Sequence, residues 1–226
     1  MDLLPDKILE DSPVVANCRM NRERDLRGPN GYDRDLRFDP LAFLKQKSLN
    51  QGQASWLDLC CGTGKALMQA AEIVDAEKLP IQITGVDLVA YFLTFDSKCL
   101  QLHEASLSRW LPDSRFDLIT CVHGLHYIGD KVGLIGRVCS WLKKDGRFVA
   151  NLDMSNLRLE SGNPAGRVVV SSLRRAGIEY SFRHKLLTCR GRRELHLPFE
   201  YLGADDQAGP NYTGQPAVNS YYRRIQ

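Results

Sequence analysis

Ser55-Trp56-Leu57-Asp58-Leu59-Cys60-Cys61-Gly62-Thr63-Gly64 is a short apolar run that breaks into a turn of small residues. Beyond it, residues 65–78 carry Ala66, Leu67, Ala70, Ala71, Ile73 and Val74 at helical spacing, and the pattern stops at Pro80. A strand, a glycine turn and a helix in that order bring bare backbone and free helical N–H groups to a strand end, where a ligand can approach closely. Working outward, residues 81–86 predict a second strand closing on Asp87, 88–95 a helix, 100–104 a third strand and 116–122 a fourth. Residues 131–143 predict a helix, 146–152 a fifth strand and 164–176 another helix stopped by Gly177. Strands separated by helices argue for crossover units: an α/β fold with a mostly parallel sheet and helices on both faces.

The flanks read differently. Asp39-Pro40 offers an N-cap and a first-turn proline for a short helix. Residues 1–38 form a polar arm with one helix, placed to act as a lid, and 39–226 a single domain. After Gly177, residues 178–189 and 192–201 predict two strands turning at Gly191, and 217–225 a last one, so the C-terminal strand is expected to run antiparallel.

Composition narrows the class. Hydrophobic residues make up 43% and charged residues 25% of 226, an ordinary globular mixture. No apolar run approaches the roughly 18 residues of a membrane span, and the acidic opening, broken by Pro5, is not laid out as a secretory signal. The net charge of +3 is too small to argue for nucleic acid. Its excess lies in residues 158–226, with 11 basic and 6 acidic groups, and a solvated face is the simpler reading of the Arg174–Arg193 cluster. Seven scattered cysteines without a C-x-x-C pair favour reduced thiols and a cytoplasmic setting, and no metal site is expected.

Four sites of chemical interest fall at predicted strand ends, the edge where open parallel sheets bind ligands. They are the Gly62/Gly64 turn, Asp87, Glu104-Ala105-Ser106 and Val122-His123. A phosphate loop ending at Gly64-Lys65 would need glycine at Leu59 and Ser or Thr at Ala66, so that reading fails. A dinucleotide fingerprint begun at Gly62 meets Leu67 where Gly or Ala belongs. A third reading fits better. Residues 57–64 resemble motif I of class I S-adenosylmethionine-dependent methyltransferases, and Gly85-Val86-Asp87-Leu88 resembles that family's ribose-binding segment. Glu104-Ala105-Ser106 with Trp110-Leu111-Pro112 resembles the adenine-binding stretch, with Glu104 in place of the usual Asp. Arg115-Phe116-Asp117-Leu118-Ile119 with His123-Gly124-Leu125-His126-Tyr127 resembles motif IV, and residues 141–148 the entry to the fifth strand. The resemblance covers about residues 53–153; Cys60 departs from it, standing where the family often has Gly.

The resemblance implies a Rossmann-like class I methyltransferase sandwich with S-adenosyl-L-methionine as cofactor and S-adenosyl-L-homocysteine as product. Its implied donor contacts are Asp58, Cys60, Gly62, Gly64, Asp87, Leu88, Glu104, Ala105, Ser106, Val122 and His123. His123, His126 and Tyr127 are the candidates for handling the acceptor's proton, since an imidazole titrates near neutrality. Tyr32, Asp153 and Tyr212 are candidate acceptor contacts. The expected reaction is methylation of an O or N atom of a small molecule, of the specialised-metabolite kind, by a monomer or homodimer without membrane or nucleic-acid partners. RNA or protein methylation is the alternative, although motif IV lacks the [DN]-P-P-[FY] of base-amine enzymes; a non-catalytic donor-binding protein is another.

Overall fold

The computed structural model describes residues 3–16 and 23–225; positions 1–2 and 17–22 of the expected arm lie outside the described residues. Seven strands form the main sheet: β1 (Ala54–Leu59), β2 (Ile81–Asp87), β3 (Leu100–Glu104), β4 (Phe116–Cys121), β5 (Leu142–Asn151), β7 (Glu179–Ser181) and β8 (Leu186–Arg190). Their order across it is β3-β2-β1-β4-β5-β8-β7. The first five are parallel, while β8 runs antiparallel to both β5 and β7. The strands β6 (Leu157–Leu159), β9 (Phe199–Asp205) and β10 (Asn219–Arg224) make a second sheet, in the order β6-β10-β9.

Period-two alternation sorts the sheet's side chains into two cores. On one side Trp56, Leu118 and Val149 pack with α3 (Tyr32–Leu36), α4 (Pro40–Gln51) and α5 (Lys65–Ala76). On the other, Leu57, Ile119, Phe148 and Ala150 pack with α6 (Lys131–Ser140) and α7 (Gly166–Arg175). Asp39 caps α4 by accepting from the Ala42 N–H at 3.0 Å, and Pro40 fills the first turn as expected. Strand order reverses between β1 and β4, so the loops leaving these neighbours diverge and open a crevice at their C-terminal ends.

Several expectations are corrected. Among the described residues the arm holds three short helices rather than one: α1 (Asp6–Glu10), α2 (Pro13–Ala16) and α3. Residues 88–95 form no helix. Val89, Tyr91, Phe92, Thr94 and Phe95 are weak helix formers, Phe92 and Phe95 pack into the core, and the Leu93 N–H donates to the Thr63 carbonyl at 3.1 Å. The expected strand at 178–189 is instead a hairpin, β7 and β8, turning over 182–185 with Lys185 at φ 50°. Residues 192–198 form no strand, although their Leu195/Leu197 alternation imitates one. The chain uses them to cross to the second sheet.

Candidate functional site

The turn after β1 departs from ordinary backbone at three places: Cys60 (φ 56°), Gly62 (φ 61°) and Gly64 (φ 77°) are all left-handed. For Cys60 this conformation costs about 1–2 kcal/mol, which is why glycine is common there. The turn is held from below and from the side. Asp87, at the end of β2, accepts from the Gly62 N–H at 2.8 Å and from the Val89 N–H at 3.1 Å. Gly124 packs against Cys60 so closely that a Cβ would stand 2.3 Å from the Cys60 Cβ and 2.9 Å from the Cys121 Sγ. Gly124→Ala is therefore expected to lower stability by about 1–3 kcal/mol, seen as a fall in the urea midpoint; an unchanged midpoint would show that the crevice floor can yield.

Asp58 lies wholly buried beneath the turn. It accepts from the Tyr32 hydroxyl at 2.7 Å and from the Thr120 hydroxyl, which in turn accepts from the Trp56 indole at 2.7 Å. Burial pushes the Asp58 pKa up to about 7; the two hydroxyl donors oppose the rise and the Asp87 charge adds to it. The folded chain thus keeps a proton on Asp58 where the unfolded chain, titrating near about 4, has lost it. That contribution to stability is full below about pH 4 and disappears as pH rises through about 7. Relative to Asp58→Asn, the wild type should lose stability across that window and then level off. Urea titrations of both proteins from acid to neutral pH make the comparison, and a pH-independent difference would exclude the effect.

A cleft opens over the crevice, lined at one end by Asp87, Leu88, Ala105 and Leu107 and at the other by Val122, His123, Gly124 and Tyr127, with Cys60 and Gly62 between. Seven of the expected donor contacts thus face one cavity. The remaining four do not line it. Asp58 sits behind the turn, Gly64 caps α5, Glu104 is exposed, and Ser106 donates to Glu10 of the arm. Glu10 and Val15 complete the lining from the arm.

The histidines separate sharply. His123, left-handed at φ 59°, directs Nε2 to the Asp35 Oδ2 at 3.2 Å and Nδ1 to the Tyr212 hydroxyl at 3.3 Å. A carboxylate only accepts, so Nε2 carries a proton. Arg24 also binds the Asp35 Oδ2, at 2.6 Å. Burial would raise the Asp35 pKa, but the hydrogen bond and charge of His123, with Arg24 and Arg34, hold it below the usual carboxylate range. His126 is fully buried and lies outside the cleft lining; neither ring nitrogen has a hydrogen-bond partner among the described residues. Burial, then the His123 and Lys131 charges, depress its pKa to about 3, so it stays neutral.

The three expected acceptor contacts also part company. Tyr32 is a core residue, edge-on to Trp56 at 6.2 Å and bonded to Asp58. Asp153 is buried and accepts from the Ser155 N–H at 3.1 Å and the Tyr212 N–H at 3.3 Å, fixing the loop that brings Tyr212 over His123. Burial, followed by the Asp35 and Asp153 charges, raises the Tyr212 pKa, so its phenol remains a donor. Asp35 and Glu10 escape a reading of the sequence; both are arm carboxylates in polar, exposed-looking stretches with no local pattern to single them out. None of the residues from Arg174 to Arg193 lines the cleft. Among the described residues, no group of three or more His, Cys, Asp or Glu side chains could hold a metal ion, and no helix is long and apolar enough to cross a membrane.

A family model for a methyltransferase domain matches residues 30–193. No curated protein matches the chain. Among solved structures it is similar to the plantazolicin methyltransferase BpumL in complex with a monoazolic desmethylPZN analog and SAH, at 15% identity and a TM-score of 0.40, over 49% of this chain and 44% of that one. It is also similar to CalS10, a SAM-bound amino pentose methyltransferase from Micromonospora echinaspora, at 21% identity and a TM-score of 0.37, over 50% and 49% of the two chains. Coclaurine N-methyltransferase bound to N-methylheliamine and SAH matches at 16% identity and a TM-score of 0.39, over 65% and 43%. Each match spans less than half the length of the solved protein.

Proposed function

We propose that this chain, which belongs to the methyltransferase-domain family, moves a methyl group from S-adenosylmethionine to an oxygen or nitrogen of a small molecule. One observation carries the reading: a single cleft at the sheet's switch point has the Asp87 carboxylate and the bare Gly62 backbone at one end and the His123 ring at the other. Asp87 would take the ribose hydroxyls, the Gly62 turn would admit the donor's polar end, and Val122 and Leu88 would supply apolar wall.

When bound, S-adenosylmethionine supplies a methyl already activated by its sulfonium, so the chain need only position and deprotonate the acceptor. Deprotonation falls to His123, whose Nδ1 takes the acceptor's proton as the new bond forms, while Asp35 stabilises the resulting imidazolium through Nε2–H. Asp35 is a positioning residue, fixing the tautomer that leaves Nδ1 free to accept. The Tyr212 hydroxyl occupies Nδ1 in the structure, so an acceptor either displaces it or passes its proton through it. His126, neutral and buried, packs behind this pair rather than meeting the acceptor. The six described cysteines are free thiols, in keeping with a reducing cytoplasmic setting. Titration calorimetry with S-adenosylhomocysteine tests the reading: saturable binding at one site per chain is expected, and no binding would overturn it.

A further inference from the structure

We infer that Glu10, on the arm, reads the amino group of the donor's adenine; this rests on the donor reading above. Asp87 marks the ribose, and the cleft continues past it to Ala105 and Leu107 after β3, so the base belongs at that end. An adenine amino group is a hydrogen-bond donor and needs an acceptor there. Glu104, the residue that the sequence put forward, is exposed and outside the cleft. Glu10 is the other carboxylate of this end and does line it.

The structure also fixes its orientation. Ser106 Oγ donates to the Glu10 Oε1, and Ser108 Oγ lies 3.2 Å from the same oxygen, which leaves Oε2 without a partner among the described residues. The serine loop is itself held by Arg137 of α6, which donates to the Leu107 carbonyl at 2.9 Å and the Ser108 carbonyl at 3.4 Å. The arm carrying Glu10 is anchored beside it. Leu9 is buried, the Leu4 N–H donates to the Ala204 carbonyl at 2.8 Å, and Tyr201 donates to the Asp6 Oδ1 at 3.1 Å. A carboxylate locked by one oxygen and open at the other, on the wall of the cleft, is a preorganised acceptor. The arm would thus be part of the donor site at the base end through Glu10 and at the transfer end through Asp35.

The test compares S-adenosylhomocysteine with S-inosylhomocysteine, whose base carries an accepting carbonyl in place of the donating amino group. Calorimetry on the wild type is expected to show adenosyl preferred by at least tenfold, the scale of one hydrogen bond to a charged group. In Glu10→Ala the adenosyl affinity should fall about as much while the inosyl affinity holds, bringing the ratio close to one. In Glu10→Gln the side-chain amide can donate to the inosine carbonyl, so the preference should shrink or reverse. If the arm merely covers the cleft, Glu10→Ala weakens both ligands in parallel and the ratio stays, which overturns the inference while leaving the donor reading intact. Failure of the wild type to bind either ligand overturns both.

Discussion

Asp87→Ala is expected to lower affinity for S-adenosylhomocysteine at least tenfold, and by about a hundredfold if both ribose hydroxyls meet the carboxylate. A hydrogen bond to a charged acceptor contributes roughly 1.5–3 kcal/mol when its loss leaves a buried group unpaired, and about 1.4 kcal/mol is a factor of ten. The structure adds a second route to the same loss. Asp87 already accepts from the Gly62 and Val89 N–H groups, so its removal frees the glycine turn from one side and the segment after β2 from the other. Asp87→Asn separates the two routes: its one remaining carbonyl oxygen can still accept from Gly62, but the charge and the second acceptor are gone. We expect Asn to keep the turn and lose part of the affinity, and Ala to lose both. Thermal melts of each variant monitor the fold. Full donor affinity in a folded Asp87→Ala protein would show that the carboxylate serves the turn alone.

Features written in a local pattern were legible. The apolar alternation of β1, β4 and β5 and the glycine turn need only neighbouring residues to be read, and the structure places them in one sheet with the turn at its edge. The same is true of Asp87, which a strand end and a spacing of 23 residues from Gly64 single out. What the sequence concealed depends on packing between distant segments. Asp35 meets His123 across 88 positions and Glu10 meets Ser106 across 96, and no local rule relates either pair. The two histidines are equivalent by spacing and both are buried, yet the turn Gly124–Tyr127 leaves only His123 on the cleft wall. The misread helix at 88–95 has the converse cause. Its aromatic residues suggest periodicity, but they are anchors for a loop held against the β1 turn, and tertiary contact overrides weak propensity.

His123→Asn is expected to reduce single-turnover methyl transfer by roughly 10²–10⁴, the usual worth of a positioned general base, with donor affinity nearly unchanged. The asparagine carbonyl can stand where Nδ1 stands and accept from Tyr212, while Asp35 keeps its partner Arg24, so most of the local scaffold survives and proton uptake is lost. Asp35→Asn makes the complementary change. It keeps the shape of the pair but removes the charge that stabilises the imidazolium, and its amide can present a donor to Nε2, reversing the tautomer so that Nδ1 holds a proton when it should accept one. A loss in the same direction is therefore expected, smaller if Arg24 and solvent partly restore the orientation. Tyr212→Phe distinguishes the two routes for the acceptor's proton: unchanged or faster transfer means that the acceptor displaces the phenol, and slower transfer means that the proton passes through it. Chelator should affect none of these proteins, because among the described residues no group of three or more His, Cys, Asp or Glu side chains could hold a metal ion. His126→Asn should act on stability rather than turnover, since a buried neutral ring outside the cleft touches no reacting atom. Full activity in His123→Asn would leave the chain working by positioning alone, and a larger loss at His126 would return the base to the buried ring.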